Sequence, residues 1–309
     1  MKVPADLALT LAAAVDAGSL DAAARRLHLT QSAVSQRLAT LERLTGQVLL
    51  VRSRPVRATA AGESVIRYAR QVAHLDDALA SELGVADGAT ALALAVNADS
   101  LATWILAPLA AAANEHGVLL HLHREDEGHT AALLANGTVA AAVTTVATPV
   151  PGCTVTPLGV LTYRAVAAPA FATRWFPDGA TPAALTTAPV LDFDDRDTIQ
   201  SRYLESRGIE ASAPPRHYVP SSTEFARAIG LGLGWALLPG VQRDGLDLVE
   251  LGGPEVRVAL YWQQWRTHAP SLVAMADAVK AAARDSLEPV APGPTLGSAP
   301  RSTPTRRRA

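Results

Sequence analysis

The stretch from Ser19 to Gly46 constrains the fold more than any other part of the chain. Ser19 can cap a helix over about Leu20–Leu27, Thr30 can cap another reaching about Leu44, and Gly46 supplies its stop. Upstream, Leu7, Leu11, Ala14 and Val15 recur at three- and four-residue steps, which predicts a helix over 4–17 broken at Gly18. Three short helices with connections this tight bury their apolar faces against one another. In the third, Ala33, Val34, Leu38 and Leu41 face inward, whereas Gln31, Ser32, Ser35 and Gln36 face outward near its start. Short polar side chains and glutamine at that end of a helix can reach base edges in a major groove, and the helix start itself favours phosphate.

Charge follows the same division. Residues 1–60 hold eight basic and four acidic side chains, whereas 61–300 hold 15 basic and 25 acidic, and the whole chain carries a formal charge of −2. A basic front on an acidic body fits a reader of nucleic acid attached to a regulatory body. Gln47–Leu50, the turn Arg52-Ser53-Arg54-Pro55 and Val56–Ala58 predict a β-hairpin wing. Its Arg52, Arg54 and Arg57 can hold phosphates, which sets position more than sequence. A solvated polar face is the plain alternative for the third helix, but that reading leaves the wing and its arginines unexplained.

Behind the wing, Thr59 caps a predicted helix to about Leu83 whose apolar Val65, Ala69, Val72 and Leu79 suit dimerisation. Gly84–Ala89 reads as a linker. Strands and helices then alternate: Ala91–Val96, Leu101–Asn114, Leu119–His123, His129–Asn136 and Val139–Thr144. A long crossing stretch, Thr154–Ala168, leads to a second set: Val190–Phe193, Ile199–Glu205, His217–Val219, Thr223–Leu231 and Trp235–Leu238. Leu248–Leu251 and Val256–Trp262 read as strands returning to the first set, and Ser271–Arg284 as a closing helix. The predicted fold is therefore α plus α/β. A winged helix-turn-helix over 1–59 and a linker helix over 60–87 precede a two-lobed α/β domain over 88–288, built like a periplasmic binding protein. Lobe I spans about 88–160 and 262–288, lobe II about 161–261, and a Pro/Gly/Ser/Arg-rich tail over 289–309 is expected to lack structure.

Composition narrows the function classes. One cysteine forms no internal disulfide and no cysteine-based zinc site, which suits a reducing cytoplasm. Neither a signal peptide nor a membrane span is expected. No H-E-x-x-H, G-x-G-x-x-G, Walker or G-x-S-x-G pattern occurs, so no catalytic residue, metal or cofactor is expected.

These residues also carry a family likeness. Ala22-Ala23-Ala24-Arg25-Arg26-Leu27, Thr30-Gln31-Ser32-Ala33-Val34-Ser35-Gln36-Arg37, Leu41-Glu42 and Thr59-Ala60-Ala61-Gly62 resemble the winged helix-turn-helix of LysR-type transcriptional regulators. The likeness runs from about residue 4 to 285. It implies that Ala33, Ser35 and Gln36 occupy recognition positions and that residues 60–83 dimerise. It further implies a homodimer or tetramer that acts on a partly palindromic promoter in double-stranded DNA with RNA polymerase. Thr30, Gln31, Ser32, Ala33, Ser35, Gln36, Arg37, Arg52, Arg54 and Arg57 are the candidate DNA-contacting set.

The segment Leu94–Trp104 is similar to the ArgP/LysG branch of that family, with Glu125-Asp126-Glu127, Ser221-Ser222 and Tyr261-Trp262 adding to the match. That resemblance implies an effector, L-lysine or L-arginine, and control of a basic amino-acid exporter gene. The residues suit such a ligand. Asn97–Ser100 is a strand-to-helix junction, where α/β sheets place ligands and a helix start can hold a carboxylate. Asp99, Glu125, Asp126 and Asp194 offer negative charge to an amino group and a cationic side chain. Thr103, Trp104, Thr144, Ser221 and Ser222 complete the candidate set. Plain structural roles stand beside these: helix caps for Ser100, Ser221 and Ser222, a solvated turn for Glu125–Glu127, and packing for Trp104. The rival readings are a nucleoid-type DNA-binding protein of the same family, an amino-acid-binding protein without DNA function, and an enzyme on the two-lobe scaffold.

Overall fold

The computed structural model describes residues 2–83, 90–124, 127–267 and 269–289. Helix α1 (Ala5–Asp16) starts at Pro4, α2 (Leu20–Arg26) is capped by the Ser19 hydroxyl accepting from Ala22 N at 3.1 Å, and α3 (Gln31–Thr45) by Thr30 Oγ1 accepting from Ala33 N at 3.2 Å. Gly46 ends α3 at φ 65, in the left-handed region where glycine meets no steric penalty. Ala8, Leu11, Ala23, Val34, Leu38 and Leu41 form the shared core, small residues letting the helices approach closely.

The wing follows as strands β1 (Leu50–Val51) and β2 (Arg57–Ala58), antiparallel with Leu50 opposite Ala58. Leu49 N donates to Glu42 Oε1 at 2.9 Å, which pins the wing to α3, and Val56 N donates to Gly18 O, which pins it to the turn after α1. Helix α4 (Ala60–Glu82) starts under Thr59, whose hydroxyl accepts from Gly62 N at 3.0 Å and donates to Val48 O at 2.7 Å. A Cβ at position 62 would collide with the Leu49 carbonyl, so only glycine allows this approach. Along α4, Ile66 and Ala69 are buried in the core of the single chain, so Ala69 is not free for the dimerising role expected of it, whereas Leu75, Leu79 and, one residue past the helix, Leu83 remain 50%, 54% and 66% exposed.

The larger domain contains β3 (Thr90–Val96), α5 (Ala98–Thr103), α6 (Leu106–His116), β4 (Val118–Arg124), α7 (Glu127–Ala135), β5 (Ala141–Thr144), β6 (Cys153–Ala167), α8 (Pro169–Trp175), α9 (Pro182–Thr187), β7 (Val190–Asp192), α10 (Ile199–Ser206), β8 (Arg216–Tyr218), α11 (Ser222–Gly230), β9 (Ala236–Pro239), β10 (Val249–Glu250), β11 (Val256–Trp265) and α12 (Pro270–Ser286). Its main sheet runs β10-β6-β11-β5-β3-β4, with β9 also on β6, while β7 and β8 form a separate parallel pair. Strands β3, β4 and β5 are parallel, as the alternation predicts, and build lobe I.

Three features depart from the sequence reading. The two sets do not own separate sheets: β6 and β11 pair from Val256 opposite Tyr163 to Trp265 opposite Cys153, carrying one sheet through both lobes. Strand β10, read as returning to the first set, pairs with β6 at Val166 and Ala167, on the opposite side of β6 from β9. The helix expected over Leu101–Asn114 is broken at Trp104, because an unbroken helix would place Pro108, which has no N–H, in its interior. In the observed arrangement Pro108 falls in the first turn of α6, where no N–H is needed.

Candidate DNA-reading face and effector cleft

The start of α3 presents Thr30, Gln31, Ser32 and Gln36 to solvent, with Ala33, Ser35 and Arg37 half-buried beside them. Thr30 Oγ1 and Ser32 Oγ lie 3.0 Å apart, so the cap and the first helical hydroxyl hold one another. Arg37 is turned back instead, its Nη1 3.4 Å from Thr10 Oγ1 of α1. Arg52, Arg54 and Arg57 stand exposed on the wing, without a side-chain partner among the described residues, so their charge is available to phosphate.

The second site lies between the lobes. A cavity of about 370 Å³ is lined by Asn97, Asp99 and Tyr163, by Phe193, Asp194, Arg196, Asp197 and Thr198 at and after the end of β7, by Ile199, Gln200 and Arg202 of α10, and by Phe225, Leu237, Leu238, Gln242 and Val258. Its size falls in the range of small-molecule sites, and its apolar wall with a few polar groups has their character. Asp99 heads α5. One of its oxygens accepts from Tyr163 OH on β6 and the other from Ser222 Oγ on α11, each at 2.6 Å. At another point between the lobes, Arg124 at the end of β4 sits 5.8 Å over the Phe193 ring and reaches Pro220 O at 3.4 Å.

The acidic loop after β7 is largely self-satisfied. Asp194 accepts from the backbone N–H of Arg196 and of Asp197, and pairs with the Arg196 guanidinium at 3.0 Å. Partial burial opposes its charge, but the Arg196 contacts outweigh it and hold the carboxyl below its ordinary range. Asp197 accepts from Phe193 N, Ile199 N and Gln200 Nε2. Gln200 is almost fully buried; its amide donates to Leu191 O and Asp197, and its Oε1 has no partner among the described residues. Asp192, behind the loop, is raised by burial even though Arg216 pairs with it.

Of the expected ligand set, Asn97, Asp99 and Asp194 line the cavity, and Ser222 joins it through Asp99. Glu125 and Asp126 lie outside the described residues. Ser100 is completely buried and its hydroxyl has no partner among the described residues, Thr103 donates to Asp99 O, and Trp104 is packed in the core. The Thr144 hydroxyl accepts from Val146 N, and Ser221 bonds Glu224. None of these last five lines the cavity. Tyr163, Gln200 and Arg202 were not read from the sequence; Tyr163 sits in the crossing strand between Thr162 and Arg164, where no local pattern marks it as a site residue. Cys153 is buried at the start of β6, where burial pushes its thiol up to about 11.

A winged reader joined to a two-lobed α/β domain with a cleft between the lobes defines a ligand-responsive DNA-binding regulator. Residues 6–63 match the family described as "Bacterial regulatory helix-turn-helix protein, lysR family", and residues 89–284 match "LysR substrate binding domain". The chain belongs to the LysR family of transcriptional regulators, and it is a regulator and not an enzyme. It is 42% identical over 280 residues to the HTH-type transcriptional regulator LysG of Mycobacterium tuberculosis, covering 88% of this chain and 91% of that one. It matches the crystal structure of ArgP from Mycobacterium tuberculosis with a TM-score of 0.83 at 41% identity, over 92% of this chain and 98% of that one. It matches full-length LysG from Corynebacterium glutamicum with bound effector Arg with a TM-score of 0.80 at 35% identity, over 93% of this chain and all of the other. Among the described residues, no helix is long and apolar enough to cross a membrane, and no three His, Cys, Asp or Glu side chains gather to hold a metal.

Proposed function

We propose that this regulator senses L-lysine or L-arginine in the cleft between its lobes and controls transcription of a gene for basic amino-acid export. The observation that carries the reading is Asp99, a carboxylate on the cavity wall with no basic partner among the described residues, facing a site whose walls include Phe193, Phe225, Leu238 and Val258. Such a site takes a molecule with a methylene chain and a cation. Arg202, whose guanidinium has no partner among the described residues, is suited to the α-carboxylate. The arginine bound to a 35%-identical relative supports the same ligand class.

On the DNA side, Gln31, Ser32, Ser35 and Gln36 read base edges and the wing arginines hold phosphate. The Leu75–Leu79–Leu83 stripe pairs two chains on a partly palindromic promoter, a tetramer forms through the effector domains, and the assembly acts on RNA polymerase in the cytoplasm. Calorimetric titration of the full-length protein with all twenty amino acids tests the effector reading. Saturable binding confined to basic amino acids is expected; binding only of acidic or aromatic ones overturns it. A salt-dependent gel shift on the promoter of an adjacent exporter gene tests the target.

A further inference from the structure

The lobes are joined across the cleft at the group that would receive the ligand. Ser222, on the first turn of α11, and Asp99, on the first turn of α5, are 123 residues apart in sequence and 2.6 Å apart in space. Tyr163, on the strand shared by the lobes, holds the other oxygen of the same carboxylate. Ser222 and Tyr163 are both buried, and Asp99 is half-buried on the cavity wall.

We propose that the Asp99 carboxylate is the latch between the lobes as well as the receptor for the effector's side-chain cation, so that a ligand with a positively charged side chain closes the cleft by stabilising the Asp99–Ser222 bond. The inference rests on the effector reading of the preceding subsection and supplies its regulation. A carboxylate offers about four acceptor positions. Two are taken by neutral hydroxyls, which leaves room for a cation without breaking either bond. The cavity is already present with the latch formed, so ligand and latch are compatible.

The energetics make the latch conditional. With the lobes apart, water solvates the Asp99 charge. With the lobes together, the charge loses part of that water and, among the described residues, gains the Ser222 hydroxyl beside the Tyr163 one, an incomplete replacement for a desolvated anion. A cation in the cleft completes it. The ligand therefore binds the latched arrangement more tightly than the open one, and this difference is what lets it shift the equilibrium. An uncharged side chain of the same length fills the apolar wall but does less for the carboxylate.

The test combines calorimetry with amide hydrogen exchange on the full-length protein, using L-lysine, L-arginine and L-norleucine. Lysine or arginine is expected to protect amides at 97–103 and 221–225, and norleucine to protect them far less. Ser222→Ala should weaken lysine and arginine about two- to tenfold and remove the ligand-induced protection at 221–225. Tyr163→Phe, which leaves the lobe-to-lobe bond in place, should weaken them by a smaller factor and keep that protection. Asp99→Asn should weaken lysine about 10- to 100-fold while changing norleucine little. The latch is refuted if Ser222→Ala keeps wild-type affinity and protection, or if norleucine protects as well as lysine. Wild-type protein that binds neither basic amino acid overturns the effector reading itself, and the receptor role with it, before any variant is made.

Discussion

Arg70 of the linker helix pairs with Asp16 of the first helix, and the same guanidinium donates to Asn136 O at 3.0 Å and to Thr138 Oγ1 at 2.9 Å in the effector domain. One turn earlier, Arg67 donates to Ala135 O at 2.7 Å. Both arginines thus satisfy carbonyls at the end of α7, which a helix leaves without internal partners. Helix α7 begins just after the acidic run at 125–126 and ends on the linker, so it spans from the end of β4 to the DNA-binding end of the molecule.

Arg70→Ala should cost about 1–3 kcal/mol of stability, since its bonds are charge-assisted and partly buried. It should also diminish the effector-dependent change in DNA affinity, with effector affinity itself within about twofold of wild type. Thermal melts and gel shifts with and without lysine check both. Unimpaired coupling in this variant would take Arg70 out of the transmission route.

Gln36→Ala and Arg54→Ala should separate the two kinds of DNA contact. Losing Gln36 should cost about 1–3 kcal/mol at particular bases and relax sequence preference. Losing Arg54 should weaken all sequences alike and lower the slope of log affinity against log salt by about one. Equal behaviour of the two variants across a panel of operator mutants would contradict this division.

Leu79→Asp should leave the fold of the single chain intact, because Leu79 is exposed, yet prevent pairing of linker helices. Light scattering should report a smaller assembly, and operator affinity should fall as two half-sites are no longer read together. An unchanged mass would assign dimerisation to another surface.

Asp194 gives a pH dependence with a defined sign. Its carboxyl is held below the ordinary range, so the stability it contributes is present above its unfolded value, near pH 4, and lost as pH falls through the folded value. Melting temperature should therefore decline on acidification, and less steeply in Asp194→Asn. Glu250 and Glu288, also lowered by arginine and hydroxyl contacts, leave a residual slope in the variant. Identical slopes would mean that the Arg196 contact adds nothing in solution.

The front of the molecule was legible in its sequence because its determinants are local. Ser19, Thr30 and Thr59 bond amides three residues away, and Gly46 stops α3 by its own backbone preference. The alternation of strands and helices behind it was readable in outline, though not the break at Trp104 or the helices α8 and α9. The cleft was only half legible. Asn97, Asp99 and Asp194 line the cavity from strand ends that the sequence pattern marks, but the partnership of Asp99 with Ser222 depends on tertiary register that no local pattern encodes. Ser100 illustrates the converse: its place at a helix start suggested a ligand contact, and the packing of α5 buries its side chain completely. Arg37 belongs to the recognition-helix motif, yet its length and the nearby Thr10 hydroxyl draw it back toward α1.

The two strands common to both lobes limit how the cleft can move. Lobes joined by flexible loops swing on a free pivot, whereas here β6 and β11 form a continuous ribbon whose pairing resists separation. Their register shifts between Leu260 and Tyr261, where a bulge lets the ribbon flex and twist. A ribbon hinged there favours twisting of one lobe on the other over a free swing, and even a small twist is magnified with distance from the bulge.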